Sequence, residues 1–224
     1  MKPKNLCFLF LFFVSTITKA GFLLLPMDET SQQNHLKAYG ITYWCLDKNY
    51  KASWLLNYRG GSFLLPDAPE IRKECQIRGV SFEVVSDSEE AELLNLIASP
   101  SQNMESVLLE KAPKIAVYTP KGKQPWDDAV TLVLTYAEIP FTAVYDEEVL
   151  SDQLLLYDWL HLHHEDFTGQ YGKFYGTYKN TPWYIEQKKE AELLAKKLGF
   201  AKVSDEKGAV AQKISHFVIG GGFM

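Results

Sequence analysis

Hydrophobic and polar positions alternate in two different rhythms along the chain, and the change falls near Ala112-Pro113. Before it, Ile41 to Leu46 is rich in β-formers and predicts a strand, with Asp47-Lys48-Asn49 as a turn. Trp54 to Tyr58 and Ser62 to Leu65 predict two more strands joined through Arg59-Gly60-Gly61, where glycine supplies positive φ. Pro69 to Ile77 predicts a helix with Ile71, Cys75 and Gln76 on one side and Gly79 as its stop. Val80 to Val85 follows as a strand, and Ser86 then caps a helix whose inward face is Leu93, Leu94 and Ile97.

From Lys114 onward, strands and helices alternate, which predicts a parallel sheet covered by helices. Ile115 to Tyr118, Phe141 to Tyr145 and Leu154 to Leu162 are the strands. Trp126, Val130, Val133, Leu134 and Ala137 recur at helical spacing, and Trp183 to Leu198 and Gly208 to Val218 are further helices. The last residues, Gly220-Gly221-Gly222-Phe223-Met224, read as a glycine turn and the opening of another strand. Since sheets average about 5–6 strands, this ending predicts a sheet that is incomplete at its carboxyl side. The expected fold class is α/β: a small α+β domain over 21–112, then an incomplete parallel sheet with flanking helices over 113–224.

The first twenty residues stand apart. Lys2 and Lys4 precede an unbroken apolar run from Leu6 to Val14, and Thr18-Lys19-Ala20 is a small-x-small site before Gly21, the layout of a secretory signal peptide. The apolar run is shorter than the roughly 20 residues that a membrane span needs. A periplasmic or secreted protein with Gly21 as its mature start is therefore expected, with no membrane insertion once the signal is removed.

Charge and cysteine content narrow the partners. Residues 1–20 carry three of the 23 basic residues and none of the 28 acidic ones, so the remainder has 20 against 28, a net of −8. Such an acidic surface disfavours nucleic acid and anionic lipid. Cys45 and Cys75 remain after Cys7 leaves with the signal, and they are either a single disulfide or two buried thiols.

In open α/β sheets ligands lie beyond the carboxyl ends of the strands. Three stretches fall there: Thr119 to Gln124, Asp146-Glu147-Glu148, and His161 to Asp166. The third is the densest in chemistry, and His163, His164 and Glu165 are the candidate ligand-binding residues, able to act as acid and base. The plainer reading has Glu165 and Asp166 as helix-cap residues. No zinc-ligand spacing is matched and no metal is expected; Lys121-Gly122-Lys123 lacks the rest of a phosphate loop, and no cofactor is expected. Tyr171, Phe174, Tyr175 and Tyr178 follow a helical period that suits a buried face, although such a stripe also stacks sugars.

Lys114 to Tyr118, Leu156 to Leu162 and Val210 to Met224 resemble the opening strands and pre-elbow helix of class I glutamine amidotransferase-like domains, which have a flavodoxin-like fold. In that family a helix, a Gly-Gly turn and an apolar strand lead into the elbow that carries the nucleophilic cysteine. No residue of this sequence occupies that position, so the resemblance carries over no catalytic residue. Leu24 to Asp28, Asn57 to Ser62 and His161 to Tyr171 resemble a group of exported bacterial proteins catalogued as asparagine synthetase B. Lys2 follows the initiator methionine where such a synthetase has its cysteine, and no SGGxDS loop occurs. The resemblances imply an exported amidotransferase-like protein that binds or hydrolyses a small polar ligand. The alternative is a non-catalytic envelope module that recognises glycan or a partner protein.

Overall fold

The computed structural model describes residues 21–120, 129–162, 167 and 176–224. Two sheets organise them. The first is antiparallel and built from β1 (Gly21–Leu25), β2 (Ala52–Leu56), β3 (Ser62–Pro66), β4 (Glu83–Ser86) and β5 (Glu105–Leu109), in the order β4-β1-β3-β2-β5. The second is parallel, with β6 (Ile115–Tyr118) between β7 (Thr142–Val144) and β8 (Trp159–Leu162).

Both faces of the antiparallel sheet are covered, which explains why its central strands are apolar runs and not alternating patterns. On β1 and β3, Leu23, Leu25, Phe63 and Leu65 face one core, while Leu24 and Leu64 face the other. The first core is closed by α1 (His35–Asp47) and α2 (Pro69–Arg78) through Ala38, Ile41, Cys45, Ile71 and Cys75. The second is closed by α3 (Asp87–Ile97), where Ile97 is buried and Leu93 and Leu94 pack beside it. Ser86 and Glu89 form a reciprocal capping box at the start of α3, and Gly79 ends α2 at φ +66°.

The stretch Ile41–Leu46 is helical, against the expectation of a strand. Its β-formers promote extended backbone only weakly, whereas Ala38, Ile41, Thr42, Cys45 and Leu46 lie three and four residues apart and are all buried. Tertiary burial of that stripe decides the outcome. The strand expected over 154–162 is likewise shorter: Gln153–Leu156 is a 3-10 turn entered through Asp152 at φ +63°, and only Trp159–Leu162 pairs in the sheet.

All four residues of β6 are buried, and their alternation serves two layers. Ile115 and Val117 face α4 (Ala129–Ala137), while Ala116 and Tyr118 face α5 (Asp146–Leu150) and the long carboxyl-terminal helix, here α7 (Val203–Ile219). An α6 helix (Pro182–Lys197) precedes it, ended by Gly199 at φ +88°. Phe223 forms a parallel bridge with Trp159 on the outer edge of β8: its N–H donates to Asp158 O at 2.9 Å and its carbonyl accepts from Leu160 N at 2.8 Å.

The two sheets meet through α1 and α4. Tyr43 packs into the core under α4, and its hydroxyl donates to the Pro113 carbonyl at 2.8 Å. Among the described residues, no helix is long and apolar enough to cross a membrane.

Candidate functional site

The carboxyl edge of the parallel sheet carries a cluster of buried polar groups. Tyr118 ends β6, Tyr145 and Asp146 follow β7 at the entry to α5, and Glu206 and Lys207 stand in the opening turns of α7. Tyr118, Asp146, Glu206 and Lys207 are between 0 % and 5 % exposed. Their burial follows from the pattern of α7, in which Val203, Glu206, Lys207, Val210, Ile214 and Phe217 make one inward stripe. Four of those positions are ordinary core residues, and the other two bring charge into the core.

The ammonium of Lys207 is the hub. Its Nζ lies 2.7 and 3.0 Å from the two carboxylate oxygens of Asp146, and 3.1 Å from the hydroxyls of both Tyr118 and Tyr145. It also sits 4.4 Å from the centroid of the Tyr145 ring, within cation–π range. The Tyr118 hydroxyl donates to Asp146 Oδ1. Asp146 thus accepts charge-assisted hydrogen bonds from Lys207 and Tyr118, and a buried charge is tolerable only when paired in this way.

Glu206 is the exceptional member. Its pKa is pushed up to about 8, first by burial, then by hydrogen bonding with the neighbouring Asp146 and by the Asp146 charge, with Lys207 acting in the opposite direction. Its Oε1 is buried with no hydrogen-bond partner among the described residues. An ionised carboxylate there would leave a charge without a partner next to another carboxylate. The neutral acid is the form that fits.

The ring of Phe167 packs 5.4 Å from that of Tyr118 and covers the cluster on one side. The candidate ligand-binding residues just before it, His163, His164 and Glu165, lie outside the described residues, as do Tyr171, Phe174 and Tyr175 of the aromatic stripe. Tyr178, its last member, is 38 % exposed and packs 5.3 Å from Trp183, itself 53 % exposed, while Tyr184 is buried. His161 lies on β8, its ring edge-on to Trp159. Among the described residues, no group of three or more His, Cys, Asp or Glu side chains is placed to hold a metal ion.

Asp146 belongs to one of the stretches singled out in the sequence, whereas Glu206 and Lys207 do not. A helix started at Gly208 leaves both outside it; the signal that finds them is the spacing of Val203, Val210, Ile214 and Phe217, which extends one turn and a half further back.

A second polar cluster lies at one end of the antiparallel sheet. The Arg59 guanidinium donates to Asp28, Glu83 and Ser31, each at 2.9 Å, from a backbone held at φ +45°. Hydrogen bonds from Ser31 and Thr30, with Arg59 adding to them, hold the Asp28 carboxyl well below the usual carboxylate range. Gly60 follows at φ +82°, and a Cβ there would stand 2.4 Å from the Met27 carbonyl oxygen. This cluster ties the turn between β2 and β3 to the end of β1.

Comparison of the chain with protein-family models, curated proteins and solved structures finds no match.

Proposed function

We propose that this is an exported protein whose parallel-sheet half is an amidotransferase-like unit of flavodoxin-like topology, binding a small polar ligand at the carboxyl edge of β6, β7 and β8. The observation that carries the reading is the buried set of Tyr118, Asp146, Lys207 and Glu206 at that edge. Ligands in open α/β sheets sit beyond the strand ends at the point where strand order reverses, and β6 is that point here, with β7 on one side and β8 on the other. Counting from β6, the order is 2-1-3, and Phe223 joins outside β8 where a fourth strand stands in the flavodoxin-like order. The layout of residues 1–20 supports export.

In this reading His163, His164 and Glu165 come from the segment after β8 and supply hydrogen-bonding and proton-exchanging groups to the ligand. The described cluster supplies a fixed floor. Binding and proton exchange are what these groups provide, and no step of covalent chemistry is assigned to them.

The test is substitution with L-glutamine as the probe. His163→Ala and Glu165→Ala lower its affinity by about tenfold or more, as loss of a hydrogen bond to a charged or polar group does, while the melting temperature stays near that of the parent. Unchanged affinity in both variants rejects this assignment. A second reading rests on the exposed pair Tyr178 and Trp183, whose faces suit a sugar ring or a partner protein. Trp183→Ala abolishing retention on an oligosaccharide matrix, with glutamine showing no binding, favours it.

A further inference from the structure

We propose that Glu206 and Asp146 share one proton that latches the amino-terminal half of α7 onto the parallel sheet, so that the latch is closed while the proton is in place and is released at alkaline pH.

The geometry is that of two buried carboxyls and one ammonium. Asp146 uses both of its oxygens on Lys207 and accepts the Tyr118 hydroxyl as well. Glu206, 1 % exposed, is left with Asp146 as its neighbour and with one oxygen that has no hydrogen-bond partner among the described residues. Two neighbouring buried carboxyl groups do not readily both ionise, and Lys207, the one positive charge near them among the described residues, is already matched by Asp146. With the proton on Glu206, the set has one negative and one positive charge and every contact is favourable. Removing that proton leaves a net negative charge sealed in the core.

Among the described residues, the groups around Glu206 include no other cation to neutralise it. From β6 comes the neutral Tyr118, and from the start of α5 come Tyr145 and Asp146. Lys207 is on α7 itself, and Phe167 contributes only an apolar ring. Glu147 and Glu148 of α5 are engaged by Lys197 of α6 and by the backbone N–H of Tyr145. The elements joined by the cluster are therefore those that separate when it is overcharged: α7 on one side, β6 and α5 on the other. The latch operates whether or not the sheet edge binds a ligand.

The sign of the pH dependence follows from linkage. Glu206 has its folded pKa raised to about 8 from an ordinary 4.5. The folded state therefore holds a proton that the unfolded chain has lost, and the stability from this group is fully present below 4.5 and is gone once pH has risen through about 8. One proton corresponds to about a tenfold rise in the opening constant per pH unit across that window, levelling off above it.

Two measurements on the full chain decide the matter. Hydrogen exchange of the α7 amides, corrected for the intrinsic rate, is followed from pH 5 to pH 9.5 in the parent protein and in Glu206→Gln. The parent is expected to lose protection by about tenfold per pH unit relative to Glu206→Gln, with the difference flattening above about pH 8. Identical profiles in the two proteins overturn the latch. The carboxyl carbon of Glu206, followed by NMR in the parent protein, is expected to titrate near pH 8. A midpoint near 4.5 overturns it equally, and that readout stands even where the variant folds poorly.

Discussion

Gly40 of α1 lies so close to the end of α4 that a Cβ on it would stand 1.8 Å from the carbonyl oxygen of Ala137. This contact is backbone on backbone, so no side chain can swing aside to relieve it. Around it, Lys37 pairs with Glu138 at 2.6 Å, Arg78 with the same carboxylate at 3.3 Å, and Tyr43 packs below. The antiparallel and parallel sheets are thereby joined through one glycine-permitted helix crossing.

Gly40→Ala follows as the first test. In an unobstructed helix interior this change is worth about 1 kcal/mol of added stability. Here the clash outweighs the propensity gain, because forcing a methyl group into a filled site costs about 1–3 kcal/mol. Urea denaturation is expected to show a less stable protein; a more stable one contradicts the close crossing.

Lys207→Met tests the charge cluster. The substitution removes the ammonium from a site where Asp146 is 1 % exposed, and an uncompensated buried charge costs about 3–5 kcal/mol. Adding Asp146→Asn to it is expected to restore part of the loss, since the orphaned charge then disappears. A single substitution costing less than about 1 kcal/mol, or a strictly additive double substitution, would show that the pair does not couple.

Much of the parallel sheet is legible in the sequence because β6 is a short apolar run between helical patterns, its four residues all buried with no polar residue to break it, and β7 follows the helix of α4 as a short run that ends on the buried Val144. The helix from Pro69 and the cap at Ser86 are equally plain, since proline, glycine and the Ser86/Glu89 pair act locally. Ile41 to Leu46 misleads because β-branched and aromatic residues there are placed by long-range burial at helical spacing. Asp146 is visible as a carboxylate just past a strand. Glu206 and Lys207 are hidden for the opposite reason: an adjacent acid and base early in a helix read as solvated residues, and only the apolar stripe downstream of them shows that they point inward.

The cysteines provide a third test. Cys45 and Cys75 are free and buried in one core, and burial pushes their thiols up to about 12 and about 11 respectively. The thiolate is the reactive form, so both are expected to resist a thiol reagent at pH 8 in the folded protein and to react once it is unfolded. Rapid labelling of either residue under native conditions contradicts the described packing.

The account rests most heavily on the carboxyl edge of the parallel sheet as the place where a ligand meets the protein. A titration with L-glutamine, followed residue by residue through backbone amide shifts, examines that claim directly. The expected result is a saturable set of changes at Tyr118, Thr119, Asp146 and Lys207 together with His163, His164 and Glu165. Changes confined to Tyr178 and Trp183, or to the antiparallel sheet, or no saturable change at all, would contradict it.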